Sequence, residues 1–214
     1  MMVEIWSDVV CPWCYIGKRR FERALAQFSH AAEVDVVWRS FELDPDAPAT
    51  VDVDLIERLA SKYGVTRDKA EAMNARVSGV AADEGLAYRP DIARPGNTFD
   101  AHRLLHLGRE RGVQSELGER LLAAYQSEGR PIADHRTLVA AAVAVGLDEH
   151  DARAVLDGDL YGDAVRDDEE TGRQLGITGV PFFAIDRRYG VSGAQSAEVL
   201  LEALEQAWGE RTDC

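Results

Sequence analysis

Two of the three cysteines in this 214-residue chain lie close together, as Cys11-Pro12-Trp13-Cys14, and the third is the last residue, Cys214. A pair with this spacing serves redox chemistry or metal binding, and so few cysteines exclude a structural disulfide framework. The pair follows a short alternating segment and contains a proline that suits the first position of a helix. The sequence therefore predicts a helix that begins at the cysteines.

The two thiols are expected to have different roles. At a helix start, the sulfur of Cys11 lies beside unpaired backbone N–H groups and the positive end of the helix dipole, which favour a thiolate. Cys14, one turn further along and more buried, is placed to attack a mixed disulfide on Cys11 and release the product. Trp13 is predicted to be exposed, either as a docking surface for apolar substrates or as a modulator of redox potential.

A zinc-held scaffold is the metal-binding alternative, because His102 and His106 have ligand-like spacing and the cysteines supply two thiolates. The long separation of Cys14 from His102, against roughly 12 to 15 residues in a zinc finger, argues against it, and so does the lack of a second cysteine pair. We therefore expect redox chemistry with no metal and no bound organic cofactor.

Composition narrows the partners. With 24 Lys+Arg against 38 Asp+Glu, the net charge is −14, which disfavours binding to nucleic acid or to an anionic membrane surface. The beginning of the sequence has no basic, apolar leader pattern, and no apolar run is long enough to span a membrane. These features predict a cytoplasmic protein, and the excess of Arg over Lys together with abundant Ala hints at a bacterial source.

Hydrophobic patterning predicts the elements around the cysteine pair. Alternation over residues 3–7 indicates a strand, and the helix after it continues to Phe28. Its polar side, expected to face solvent, is formed by Lys18, Arg19, Arg20 and Arg23. A second strand over residues 34–41 completes a β-α-β unit, whose two strands should be parallel.

A block of helices separated by Gly and Pro follows this unit. We expect an inserted helical domain over residues 52–158, between parts 1–51 and 159–214 of an α/β domain. The later part begins with a helix over about 160–175, in which the charge run 166–170 is predicted to be a solvated face. A hairpin over residues 180–192 and a last helix after Ser196, a plausible N-cap, complete the order β-β-α.

The cysteine pair at a helix start and the late segment Gly179-Val180-Pro181-Phe182 together resemble the thioredoxin superfamily. Three longer segments are similar to DsbA-like oxidoreductases of the FrnE type: Asp8-x-x-Cys11-Pro12-Trp13-Cys14-Tyr15-Ile16-Gly17, Asn97-Thr98-x-x-Ala101-His102-Arg103 and Tyr189-Gly190-Val191-Ser192-Gly193-Ala194-Gln195. The resemblance implies a thioredoxin-like fold, β-α-β then β-β-α, with a large all-helical insertion. It also implies a thiol-disulfide oxidoreductase or isomerase that acts on protein or small-molecule thiols and disulfides.

The resemblance further implies residues that bind substrate. A cis bond before Pro181 would face the cysteines, so that the Val180 backbone could pair with an extended substrate beside Pro12 and Trp13. The helical insertion would roof the cysteines and contribute Asn97 and His102 to a cleft. From the residues alone, a helix cap is the better explanation of Asn97, and a structural histidine is the better explanation of His102, which near Cys11 would instead tune the thiol.

One alternative enzyme is part of the same resemblance. The 2-hydroxychromene-2-carboxylate isomerases and kappa-class glutathione transferases carry a serine where this chain has Cys11, and they imply a glutathione-dependent isomerase or transferase. Glutathione is thus a candidate substrate in either interpretation. The presence of both thiols favours the redox function.

Overall fold

Contacts within the chain divide the described residues, 1–49 and 54–212 of the computed structural model, into two units. The first unit joins Met1–Leu43 to the segment that begins at Arg166, and the second is Asp44–Val165. The domain boundaries expected after residues 51 and 158 stay a prediction, and residues 50–53 lie outside the described part of the chain. Cys214 also lies outside it.

Strands and helices occur near both ends of the chain, as expected, and the described elements between them are helices. In chain order they are β1 (Met2–Ser7), α1 (Pro12–Gln27), β2 (Asp35–Ser40), α2 (Leu55–Tyr63), α3 (Arg67–Asp83), α4 (Phe99–Glu110), α5 (Gln114–Gln126), α6 (His135–Ala144), α7 (Glu149–Asp157), α8 (Gly162–Gln174), β3 (Phe182–Ile185), β4 (Tyr189–Ser192) and α9 (Ala197–Thr212). A short 3-10 helix, Ala31–Glu33, precedes β2.

The strands of the first unit form one sheet in the order β2-β1-β3-β4. β1 and β2 are parallel, and β3 is antiparallel to both β1 and β4. A parallel pair requires a crossover, which α1 supplies, whereas the short turn between β3 and β4 suits an antiparallel hairpin. The predicted thioredoxin-like arrangement, a β-α-β half and a β-β-α half with helices inserted between them, is confirmed.

One face of this sheet is apolar. Val3 and Ile5 alternate along β1 and are fully buried against Phe21 of α1 and Leu200 of α9. Phe183 of β3 lies in the same cluster, and its ring stacks on that of Phe21 with the ring centroids 5.5 Å apart. Each such side chain contributes about 1.5–3 kcal/mol by leaving water, so this face holds α1 firmly on the sheet.

The other face of the sheet contains charged groups. The Trp6 indole donates a hydrogen bond to the Asp168 carbonyl of α8 at 2.8 Å. The Asp168 carboxylate accepts hydrogen bonds from the Ser40 backbone N–H and from Arg39, both at 2.9 Å, and the residue is only 4% exposed. The prediction that residues 166–170 form a solvated face is therefore wrong for Asp168, because its carboxylate binds the end of β2.

Glu4 and Lys18 are also buried in this unit although they are charged. Glu4 accepts hydrogen bonds from Arg39 and Arg187 at 2.6 to 2.9 Å. Burial opposes its ionisation, but these bonds outweigh it and lower the pKa of Glu4. Lys18 was expected on the solvent side of α1, which is wrong: it is 3% exposed, and its ammonium group pairs with Glu22 one turn further on.

The second unit consists of helices in its described part. α4 packs against α5, α6 and α7, and α2 packs against α3. The buried Arg103 of α4 donates hydrogen bonds to the carbonyls of Gly158 at 2.7 Å and Leu160 at 2.8 Å, and it also contacts that of Val155. Its guanidinium thus satisfies carbonyls at the end of α7. None of the described helices has the length and apolar character needed to cross a bilayer.

Candidate active site

A turn between β1 and α1 fixes where the cysteine pair lies. Asp8, 1% exposed, accepts the Cys11 N–H at its carbonyl, with a distance of 3.1 Å. Its carboxylate accepts the Leu43 N–H at 2.8 Å and the Val10 N–H at 3.5 Å. Asp8 therefore joins the start of α1 to the chain that leaves β2, and this explains why an aspartate three residues before Cys11 matters for the site.

Cys11 is the N-cap residue of α1, with extended backbone angles and Pro12 directly after it. The backbone N–H groups of Cys14 and Tyr15 point back to its carbonyl, at 3.1 and 3.3 Å. The Cys11 sulfur lies 3.7 Å from the Val180 carbonyl oxygen, within reach of a hydrogen bond to sulfur. The Cys11 thiol therefore lies at the start of α1 and next to the segment that precedes β3.

Cys14 lies one turn into α1 and is fully buried, whereas Cys11 retains 4% of its surface. Burial raises the pKa of the Cys14 thiol well above its ordinary value, and the hydrogen bond to Cys11 and the negative charge of Cys11 raise it further. The Asp8 backbone N–H and the Ser7 side chain act in the opposite direction and lower the pKa, but burial outweighs them. The second thiol therefore holds its proton in the reduced protein.

Val180 and Pro181 form the second side of the site, and the bond between them is cis, as expected. Pro181 is buried, and its carbonyl accepts the Gly193 N–H at 2.8 Å, which ties the segment to the end of β4. A Cβ added to Gly17 of α1 would lie 2.8 Å from Pro181 Cγ. Since real Cβ atoms do not approach that closely, only glycine lets α1 and Pro181 pack at this distance.

Trp13 lies between the two cysteines and is 39% exposed, as predicted. Large aromatic side chains are usually covered in a folded protein, and an exposed indole offers an apolar surface with one polar atom. Pro12 is half-buried at the first position of α1. In the first unit, the structure thus brings together six of the eight site residues predicted from the sequence: Cys11, Pro12, Trp13, Cys14, Val180 and Pro181.

The other two predicted site residues, Asn97 and His102, belong to the second unit. Asn97 precedes α4, and its side-chain oxygen accepts the Phe99 N–H at 2.9 Å, which is a capping role. His102 is 1% exposed within α4. Their place beside the cysteines stays a prediction. No group of three or more His, Cys, Asp or Glu side chains in residues 1–49 and 54–212 is arranged to hold a metal ion.

Sequence reasoning assigned no role to Gly17, although it packs against Pro181 in the candidate site. Gly17 was noted only as part of a motif, and a buried glycine inside a helix is the signal that could have indicated close packing. Gly17 therefore adds to the candidate site.

A cysteine pair at the first helix of a β-α-β unit, with a cis-proline segment opposite, defines a thioredoxin-fold protein. The family model described as a DSBA-like thioredoxin domain matches residues 2–205, and the chain belongs to this family. The predicted resemblance to DsbA-like proteins is therefore confirmed.

The chain is also similar to three known proteins. The chain is 50% identical to a probable DsbA oxidoreductase from Streptomyces coelicolor, with a TM-score of 0.93 over 98% of this chain and 91% of that one. It is 26% identical, over 94% of each chain, to the uncharacterized protein YwbO of Bacillus subtilis. A 2-hydroxychromene-2-carboxylate isomerase, 13% identical, shares the fold with a TM-score of 0.72 over all of this chain and 98% of that one. The family and the 50% identical structure support a thiol-disulfide oxidoreductase in general.

Proposed function

We propose that the protein exchanges thiols and disulfides through Cys11 as the nucleophile and Cys14 as the resolving thiol. The observation that carries this proposal is the asymmetry between two thiols one helical turn apart. Cys11 occupies the N-cap position of α1 and retains 4% of its surface, whereas Cys14 is fully buried with a raised pKa. A thiolate is the attacking species, so the sulfur at the helix start acts first.

The reaction balances without any other redox partner. The Cys11 thiolate attacks one sulfur of a substrate disulfide, a new bond forms between them, and the other substrate sulfur leaves as a thiolate that takes a proton. Cys14 then loses its proton and attacks the Cys11 sulfur, which releases the remaining substrate thiol and leaves a Cys11–Cys14 disulfide. The substrate is reduced and the cysteine pair is oxidised; the reverse sequence oxidises a dithiol.

Substrate binding is proposed to use the surface next to Cys11. The Val180 backbone would pair with an extended segment of the substrate, as an added strand does at a sheet edge, while Trp13 covers apolar side chains. Protein and small-molecule disulfides, glutathione disulfide among them, fit these requirements. Thiol-disulfide exchange moves electrons between sulfur atoms, so the proposed reaction uses no metal and no bound organic cofactor.

The experiment that tests the proposal traps the covalent intermediate. Cys14→Ser removes the resolving thiol, so incubation with glutathione disulfide should leave glutathione attached to Cys11, visible by intact-protein mass spectrometry and peptide mapping. Cys11→Ser is the matched control and should trap almost nothing. Equal trapping by the two variants would overturn the order of attack.

The glutathione-dependent isomerase or transferase is tested with the same proteins. That function predicts tight binding of reduced glutathione, measured by isothermal titration calorimetry, and turnover that leaves the cysteine pair unchanged and survives in Cys11→Ser. Either result, together with no adduct on Cys14→Ser, would contradict the proposed redox function.

A further inference from the structure

A buried aspartate closes the turn that leads into Cys11. The Cys11 N–H donates to the Asp8 carbonyl at 3.1 Å, and the Val10 N–H lies 3.5 Å from one oxygen of the Asp8 carboxylate. The other carboxylate oxygen accepts the Leu43 N–H at 2.8 Å, and Asp8 is only 1% exposed. One side chain therefore holds the turn closed and also joins it to a segment 35 residues away in the sequence.

The segment that contains Leu43 is held in turn by α8. Directly before Leu43, the Glu42 N–H donates to the Glu169 carboxylate at 3.1 Å. The Glu42 carboxylate is fully buried and pairs with Arg166. The Leu43 N–H is thus a donor in a fixed place, and its bond to Asp8 fixes the turn relative to the end of β2.

The position of the Cys11 sulfur depends on this turn. Cys11 occupies the N-cap position of α1, and its sulfur lies 3.7 Å from the Val180 carbonyl oxygen. A helix start favours a thiolate only over a short distance, within its first turn. A shift of the turn would therefore move the sulfur away from the groups that favour its reactive form.

We propose that Asp8 is a positioning residue for Cys11, whose carboxylate accepts the Leu43 N–H and thereby holds the turn in the geometry in which the Cys11 thiolate attacks. The inference rests on the proposed function of Cys11. During the attack the bond between Cys11 and one substrate sulfur forms, the substrate disulfide breaks, and the leaving thiolate takes a proton from solvent. Asp8 forms no bond to the substrate and exchanges no proton.

The test measures how fast Cys11 reacts with iodoacetamide across a range of pH, by peptide mass spectrometry of the reduced protein. Asp8→Ala removes both acceptor oxygens, so the rate near neutral pH should fall about tenfold, the expected result of losing a hydrogen bond to a charged group. The rise of the rate should also move to higher pH, because the displaced sulfur loses the helix start. Asp8→Asn keeps an oxygen for the Leu43 N–H and should restore most of the rate and the profile.

The sign of the pH shift distinguishes positioning from a direct effect of charge. A negative charge opposes a neighbouring thiolate, so if Asp8 acted through its charge, both Asp8→Ala and Asp8→Asn would move the profile to lower pH. That result would overturn the inference. An unchanged rate and profile in Asp8→Ala would overturn it as well and would leave the order of attack intact.

Asp186→Ala is the matched control for lost stability. The Asp186 carboxylate also accepts a backbone N–H at 2.8 Å, that of Met2, at the end of β1 far from Cys11. This variant should lower the free energy of unfolding and leave the reactivity of Cys11 unchanged. Equal slowing in Asp186→Ala and Asp8→Ala would assign the effect to stability and contradict the role of Asp8.

The failure of the inference is distinguishable from the failure of the proposed function. Absence of a glutathione adduct on Cys14→Ser, in a protein with Asp8 intact, would overturn the proposed function itself. If Asp8→Ala does not fold by circular dichroism, Asp8→Ser is measured in its place, since its shorter side chain does not reach the Leu43 N–H. The same loss of rate and the same shift to higher pH are expected of Asp8→Ser.

Discussion

The helix that carries the cysteines begins differently from four helices of the second unit. Those helices, α2, α3, α6 and α7, begin at Asp54, Thr66, Asp134 and Asp148, and each of these side chains accepts a first-turn N–H. α1 begins at Cys11, which makes no capping hydrogen bond within the described part of the chain, and its first turn contains no acidic residue. In these four helices a side-chain oxygen accepts a first-turn N–H, whereas α1 has the side chain of Cys11 at that position and no such oxygen.

A substitution that places a capping oxygen at the start of α1 should have the largest effect on activity. Cys11→Ser places a favoured capping oxygen where the nucleophile was, so exchange with glutathione disulfide should fall to the uncatalysed rate. The same oxygen should raise the free energy of unfolding of the reduced protein by about 1 kcal/mol, the usual contribution of a helix cap. Urea unfolding monitored by circular dichroism measures this change.

Cys14→Ser is the control for that variant. This variant should also lose catalytic turnover. Its new hydroxyl is fully buried and does not cap the helix, so its free energy of unfolding should fall by about 1 kcal/mol. Residual turnover in Cys11→Ser, or equal stability changes in the two variants, would contradict the distinction between the helix start and the helix interior.

The second turn of α1 contains Gly17, which packs against Pro181 on the other side of the candidate site. Gly17→Ala should lower the free energy of unfolding by about 1–2 kcal/mol and slow exchange, since the new methyl group collides with the Pro181 ring. In α9, Gly209→Ala has no described atom within 4 Å of the added Cβ and should be neutral or stabilising. Equal effects of the two substitutions would show that the packing of α1 on Pro181 is not tight.

Removing a cap from the second unit should affect stability alone. The Asp148 side chain accepts the His150 N–H at 2.8 Å and the Asp151 N–H at 3.1 Å. Asp148→Ala should cost about 1 kcal/mol in the free energy of unfolding, while Asp148→Asn keeps an acceptor and should cost much less. A large loss of thiol-disulfide exchange activity in a folded Asp148→Ala protein would contradict the prediction that this cap affects stability alone.

The smallest expected effect is the pH dependence of the Asp54 cap at the start of α2. Hydrogen bonds from the Glu57 N–H and from Arg67 lower the pKa of Asp54, which is exposed. A carboxyl whose folded pKa is depressed stabilises the folded state above its unfolded pKa, and this stabilisation is lost as the pH falls through the folded pKa. The protection of amides in the first turn of α2, measured as the hydrogen-exchange rate relative to the intrinsic rate at each pH, should therefore fall in acid. Asp54→Asn, which caps without a charge, should remove that pH dependence, and an unchanged dependence would assign it to another group.

Much of the site could be predicted from the sequence. Alternation placed β1, the proline placed the start of α1 at Cys11, and the motif before β3 placed the cis bond at Pro181. The prediction that Lys18 and Asp168 face solvent was wrong, because patterns of polar residues take no account of partners such as Glu22 and the end of β2. The packing of Gly17 against Pro181 was missed for a related reason, since hydrophobic patterning takes no account of how closely two segments approach.

The asymmetry of the two thiols is tested most directly by alkylation of the reduced protein. Limiting iodoacetamide is added across a range of pH, and peptide mass spectrometry measures the carbamidomethylated fraction of Cys11 and Cys14 over time. Since Cys14 is fully buried and its pKa is raised, Cys11 should be labelled first at every pH at which the protein stays folded. Labelling of Cys14 first, or of both thiols at one rate, would contradict the account.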